Sequence, residues 1–296
     1  MALEVEAVAT PVPIKGWSRL ELPPLYLVVP SVLVGAALLL PIAYVLIRTL
    51  GAGADAWDLL VRTSVLETLL RTIYLAAGVT AATVAIALPV AWLTVRTDLP
   101  FRRVWAVLTV LPLVIPSYVG GLVAVAALGP KGLLQQMLEG PFGVDRLPDI
   151  YGLPGATLVL ALLSYPYVLL SIRAALWTLD PALEEASRGL GHGAWATFRR
   201  VTLPHLRPAI AAGGLLVALY TLSDFGAVSL LRFNSFTRVI FLQYETAFDR
   251  TLAAASSLVL VMVALALLAI EARARGRSQY HRMSAGGARR TAILHL

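Results

Sequence analysis

The stretch that decides the fold runs from Asp180 to Pro208: DPALEEASRGLGHGAWATFRRVTLPHLRP. Apolar runs flank it on both sides, each long enough to cross a bilayer, and it is a polar island that a membrane would reject. Asp180-Pro181 reads as a helix N-cap followed by a first-turn proline. Good helix formers follow from Ala182 to Leu190, with Glu184 and Glu185 early, where the helix dipole favours anions. Gly191 and Gly193 break that helix. A second short helix is expected over about 194–201, with Trp195, Phe198 and Val201 at i, i+3 and i+6 and Arg199 and Arg200 beside them; Pro204 stops it or turns it into the next segment. Two short helices outside the bilayer have no core of their own, so this partly apolar island needs another protein to cover it.

Working outward, the 296 residues are 58% hydrophobic and only 14% charged, where a soluble domain carries about a quarter charged residues. The apolar residues gather in runs of about 20 or more, the length that spans the hydrocarbon of a bilayer. The expected fold is all-α: a polytopic transmembrane helical bundle of six spans with a short helix pair between spans four and five. A membrane β-barrel would show short alternating segments instead. The spans read as roughly 25–47, 69–95, 104–128, 154–177, 206–231 and 252–270. Pro41, Pro89, Pro112 and Pro116 fall inside or near span ends, where neighbouring groups or water have to satisfy the freed carbonyls.

Orientation follows from Lys and Arg. Arg96, Arg102 and Arg103 crowd the connection between spans two and three, and the island carries Arg188, Arg199, Arg200 and Arg207. The tail carries Arg273, Arg275, Arg277, Arg282, Arg289 and Arg290. With six spans these three segments share one side, the cytoplasm, and both termini lie there. The opposite loops are mixed in sign. The net charge of +7 is thereby spent on topology, and nucleic acid is not an expected partner. Three regions result: a cytoplasmic leader over 1–24, a membrane domain over 25–271 containing the loop at about 180–208, and a basic tail or linker over 272–296. The leader holds Glu4, Glu6, Glu21 and four prolines, unlike a cleaved signal peptide.

Small residues crowd several spans: Ala76, Ala77 and Gly78, then Gly120-Gly121, then Gly213-Gly214. They allow close helix approach, the main packing device in lipid, and read as packing surfaces more readily than as hinges.

The island also carries a signature. Glu185-Ala186-Ser187, Gly191 and Val201-Thr202-Leu203-Pro204 resemble the cytoplasmic motif of permease subunits in binding-protein-dependent ABC importers: Glu-Ala-Ala, three residues, Gly, nine residues, Ile, any residue, Leu-Pro. Ser187 stands for Ala and Val201 for Ile. The resemblance implies a coupling helix pair that docks in a groove of an ATP-binding subunit, with Glu185, Ala186, Ser187, Gly191, Val201, Leu203 and Pro204 as the coupling residues. Small Ala186 and Ser187 let the helix sit close to its partner, and Gly191 supplies a turn that a larger residue would strain.

It further implies two ATP-binding cassette subunits, a second permease half and a substrate-binding protein, with ATP and Mg held by the cassette subunits. No phosphate-cradling G-x-x-x-x-G-K-[ST] occurs here, so this chain is expected to be a permease and not an enzyme, without a cofactor or resident metal of its own. There is no cysteine, and His192, His205, His281 and His295 show no ligand spacing.

Residues 111–119 (LPLVIPSYV) and the stretches from Ser223 through Val228, Phe236 through Ile240 and on to Arg250 resemble ferric-iron importer permeases, relatives of thiamine, sulfate and polyamine permeases. Those usually fuse two six-span halves. One half here implies a homodimer, a separate partner chain or a missing second half. Ser117, Tyr118 and Asp224 are candidate pathway residues. Asp224 reads either as an interfacial acid facing outer-side water or as part of a cation path, since acids in membranes are expensive. Tyr165 and Tyr167 read as pathway groups or interface anchors, and Arg173 as an arginine snorkelling to the cytoplasm. The competing classes lack residues. An integral membrane enzyme would need paired histidines with an acid or a Gly-x-Ser-x-Gly, and a secondary transporter would show internal repeats and several buried ionisable groups.

Overall fold

A computed structural model describes residues 24–51, 63–143, 147–246 and 251–277. The leader at 1–24, apart from Pro24, and the tail beyond Arg277 lie outside these residues, as do His281 and His295. Among the described residues the chain is helical, and six helices are long and apolar enough to cross a membrane. The chain divides into two compact units, residues 1–44 and 45–296. The boundary falls inside helix α1 (Leu25–Gly51), an apolar helix that buries none of its side chains.

The second unit is built on three long helices: α2 (Thr63–Arg96), α6 (Leu153–Thr178) and α9 (Leu203–Ser223). Along α2 the buried positions Thr72, Leu75, Ala76, Val79, Thr83, Ala87 and Ala91 recur every three or four residues, which places them on one helix face. Of these, Leu75, Val79, Ala87 and Ala91 meet Ala156, Val159, Leu160, Leu169, Ile172 and Leu176 of α6 and Leu206 and Val217 of α9 in one apolar cluster.

The glycine pairs explain how closely these helices approach. On α9 a Cβ at Gly213 would lie 2.7 Å from the Val168 Cα of α6, and one at Gly214 would lie 3.2 Å from Thr80 of α2. Consecutive helical residues point about 100° apart, so this one pair lets α9 close against both neighbours. Gly120 and Gly121 do the same for α4 (Ser117–Leu128). Gly120 faces Leu163 of α6, and Gly121 faces the Ala227 backbone of α10 (Gly226–Leu230).

The third and fifth spans differ from the sequence reading. The stretch expected as one helix at 104–128 is α3 (Arg102–Leu108), a 3-10 turn at Leu111–Val114 and then α4. Pro112 and Pro116 cause the break, since each lacks an N–H and clashes with the preceding turn. The third membrane-length segment is Ser117–Phe142, in which α5 (Leu133–Phe142) follows α4. Pro41 and Pro89, by contrast, stay inside α1 and α2.

The fifth span was expected at 206–231. It occupies Ala194–Ser223 and ends at Asp224, beyond which α10 is a separate short helix. The fourth span matches closely. The sixth is α12 (Thr251–Arg277), preceded by α11 (Phe236–Thr246), whose Phe236 N–H donates to the Thr72 hydroxyl of α2 at 2.9 Å.

Two glycine substitutions test this packing in opposite directions. Gly213→Val forces side-chain atoms into the Val168 backbone, and we expect a loss of about 1–3 kcal/mol, as for other overpacked cores. At Gly78 an added Cβ would make ordinary contact with Thr157 at 3.5 Å, so Gly78→Ala should be neutral or stabilising by up to about 1 kcal/mol through helix propensity. Thermal unfolding of the detergent-solubilised chain reads both.

Candidate functional site

The island between α6 and α9 folds as two short helices. Asp180 is the N-cap of α7 (Pro181–Gly189), its carboxylate accepting the Ala182 N–H at 3.0 Å, with Pro181 in the first turn. Gly191 turns the chain with φ +84°, a backbone region that suits glycine, and nothing lies within 4 Å of where its Cβ would be. Gly193 leads into α8 (Ala194–Thr197). This second helix does not stop at Pro204. It runs through a π turn at Phe198–Thr202 directly into α9, with Pro204 in the first turn of α9.

The two limbs are cross-tied by side chains. Ser187 Oγ and Thr197 Oγ1 share a buried hydrogen bond of 3.1 Å. The Thr202 hydroxyl donates to Glu184 Oε1 at 2.8 Å, also buried. Glu184 then reaches outside the island, its Oε1 lying 3.4 Å from Nη2 of Arg96, the last residue of α2. Arg96 is 2% exposed and Glu184 7%. Removing one partner of such a buried pair costs about 3–5 kcal/mol, because the other charge is left uncompensated. Beside this pair Trp92 of α2 sets its edge on Phe198 at 5.0 Å, and Trp195 stacks on Phe198 at 5.5 Å. The connection after α2 and the island therefore lie at one end of the bundle.

What the island leaves uncovered is its outer face. Glu185 and Ala186 are exposed, Leu190 is 80% exposed and Trp195 72% exposed. Val201, Leu203 and Pro204 are half-buried where the second limb joins α9. Of the signature residues, the structure turns Ser187 inward as a cross-tie and leaves Glu185 and Ala186 facing outward. Reading the sequence missed Arg96, Glu184 and Thr202 as one cluster. Arg96 counted only toward sidedness and Glu184 only as a first-turn acid, because nothing in the sequence shows that these positions meet.

The candidate pathway residues lie at the far end of α9. Asp224 is 6% exposed and caps α10, its Oδ1 accepting from the Ala227 and Val228 N–H groups at 3.1 and 3.2 Å. The Ser117 hydroxyl at the start of α4 engages the same carboxylate and the Tyr220 hydroxyl. The Thr237 hydroxyl donates to the Asp224 backbone carbonyl at 2.6 Å. Ser117, Tyr167 and Tyr220 line a cavity of about 390 Å³ together with Leu113–Pro116 and Leu163, and the Tyr167 and Tyr220 rings lie 5.8 Å apart. Tyr118 is 56% exposed and is not among the residues lining this cavity. Tyr165 packs on the apolar cluster. Arg173 donates to the Ala106 carbonyl of α3 at 3.1 Å and lies over the Trp177 ring. So the structure brings Ser117 and Asp224 together and leaves the Tyr118 side chain exposed.

Comparison with known proteins bears on what this arrangement serves. Residues 84–275 match the family described as the binding-protein-dependent transport system inner membrane component. The chain is 33% identical over 238 residues to the Fe(3+)-transport system permease protein FbpB 2 of Haemophilus influenzae, covering 80% of this chain and 43% of that one. It is 36% identical over 137 residues to the molybdenum transport system permease protein ModB of Escherichia coli, covering 46% of this chain and 58% of that one. The chain thus spans less than two thirds of the length of either relative.

Its fold is shared with a chain of a bacterial alginate ABC transporter crystallised with an alginate pentasaccharide-bound periplasmic protein (TM-score 0.66, 17% identity, 85% of this chain and 94% of that one). It is also shared with a chain of the inward-facing MetNI methionine ABC transporter (TM-score 0.57, 15% identity, 74% and 100%). With the family pattern covering more than half of its length, including the whole island, this multi-pass membrane protein belongs to the inner-membrane components of binding-protein-dependent transport systems.

Proposed function

We propose that the chain is the permease subunit of an ATP-driven ABC importer, and that it forms a translocation pathway for ferric iron handed over by a substrate-binding protein. The observation that carries the permease reading is the island. It is a cross-tied helix pair with the motif spacing, set between the fourth and fifth spans, and it exposes Ala186, Leu190 and Trp195, apolar groups that a docking partner would cover.

In this reading two ATP-binding cassette subunits hold the ATP and Mg, and one of them grips that face. A second permease half, from a copy of this chain, another chain or a further domain, completes the pathway. Both termini lie in the cytoplasm of a prokaryotic cell, following the arginine-rich connections. Hydrolysis belongs to the cassette subunits, so this chain does no chemistry.

Two observations favour iron over an oxyanion. The ferric relative matches over 80% of this chain, the molybdenum one over 46%. The acid next to the cavity of Ser117, Tyr167 and Tyr220 is Asp224, which engages the lining residues Ser117 and Tyr220, and among the described residues no Lys or Arg lines the cavity. A lining without a fixed positive charge offers nothing to hold molybdate or sulfate, and an ionised carboxylate beside it would favour a cation.

Two experiments check this reading. Ala186→Trp adds bulk on an exposed helix face without touching the core. It should lower co-purification of the cassette subunit by about tenfold, the 1.4 kcal/mol scale of one badly fitted interface residue. Undiminished co-purification would remove the docking role from this face. In proteoliposomes holding the whole transporter, radiolabelled ferric ion should accumulate only with ATP and binding protein present, while molybdate, sulfate and thiamine should not. Accumulation of an oxyanion instead would overturn the iron assignment alone. Transport by the purified chain without cassette subunits would overturn the permease reading.

A further inference from the structure

We infer that the Glu184 carboxylate is the mechanical joint between the island and α2, with Arg96 and Thr202 as its positioning residues. The inference rests on the permease reading, but it concerns a contact inside this chain, distinct from the face that a partner would grip.

A lever needs a stiff arm and an attachment to whatever it moves. The arm is stiff because Ser187–Thr197 and Glu184–Thr202 tie its two helices together. The chain itself attaches the arm to two of the three core helices. Leu179-Asp180 leads back into α6, and the π turn leads on into α9. The third core helix, α2, has no such covalent link to the island. Its inner end meets the island at Arg96–Glu184 and at the Trp92–Phe198 edge contact. An aromatic edge can slide. A buried carboxylate and guanidinium cannot part without leaving a charge uncompensated, so α2 has to follow Glu184.

The pair also has a second setting available. At 3.4 Å it is longer than the 2.7–2.9 Å of a charge-assisted hydrogen bond. Arg96 Nε and Nη2 are buried and make no hydrogen bond among the described residues. An unused Nη2 donor beside a carboxylate held slightly too far away describes a contact that tightens when the island shifts toward α2. Thr202 then decides which way Glu184 points, since it holds the same oxygen.

The chain has no cysteine, so paired thiols can replace the joint cleanly. The test uses the complete transporter in proteoliposomes and reads substrate imported per ATP hydrolysed, with cassette-subunit co-purification followed in parallel. Glu184→Gln keeps an acceptor for Thr202 but removes the charge. It should leave co-purification unchanged and lower import per ATP by about tenfold, the loss expected when a coupling free energy of ordinary size is removed. Thr202→Val should act in the same direction. Arg96→Cys combined with Glu184→Cys should be uncoupled when reduced and regain coupling when the two thiols are bridged by a short bifunctional reagent.

Unchanged import per ATP in Glu184→Gln would overturn the proposal, as would a bridge that restores nothing. Loss of all these variants from the membrane would also overturn it, by making the cluster an element of folding. Co-purification of the cassette subunit with the unmodified chain tests the permease reading separately.

Discussion

Backbone that leaves a helix inside hydrocarbon has to find new hydrogen-bond partners at once, and the architecture of this protein follows from where it does so. The chain breaks helix near the far end of the bundle at the prolines before Ser117 and again at Asp224. The break at Asp224 is repaired by side chains, one of them from the start of α4 beside the first break. Asp224 takes two N–H groups of α10, Ser117 engages Asp224, and Thr237 satisfies the Asp224 carbonyl. Non-helical backbone at membrane depth is tolerated where it is enclosed by protein or lines a cavity, and here it borders the space between Ser117, Tyr167 and Tyr220. The acid that sequence reading singled out for its cost is therefore also the group that makes the interruption possible.

The long elements were legible because composition alone demands them: α2, α6 and α12 lie close to the apolar runs that announce them. The island was legible through Asp180-Pro181, Gly191 and the spacing to Leu203-Pro204, each of which has a local cause that the structure repeats. The misjudged elements were those decided by local backbone chemistry against hydropathy. Pro112 and Pro116 cut an otherwise continuous apolar run, and Asp224 ends α9 although apolar residues continue to Leu231. The Arg96–Glu184–Thr202 cluster was illegible for a different reason. It is a meeting of positions far apart in the chain, and a charged residue at a span end carries the same topological signal whether it faces water or a buried partner.

The two ends of the bundle spend polar groups differently. At the far end a carboxylate is held by backbone and hydroxyl donors, which fixes it in place. At the island a carboxylate is shared between a hydroxyl and a guanidinium with donors to spare, which fixes its neighbours to one another while leaving the distance adjustable. Between them the core of α2, α6 and α9 is apolar and closely packed around Gly213 and Gly214, a material that moves as a block more readily than it deforms.

The π turn at Phe198–Thr202 has a consequence for phase. Such a turn holds one residue more than an α-helical turn of the same height. It therefore winds everything beyond it by about 100° relative to a plain helix. Removing one residue from the turn would let it relax to plain α-helix and leave Gly213 and Gly214 facing Val168 and Thr80, whereas straightening it at the present length would swing them away. The turn is thus where one surplus residue between Gly191 and α9 is taken up, like slack let into a belt: it keeps the small-residue notch of α9 meshed with two helices that belong to a distant part of the chain.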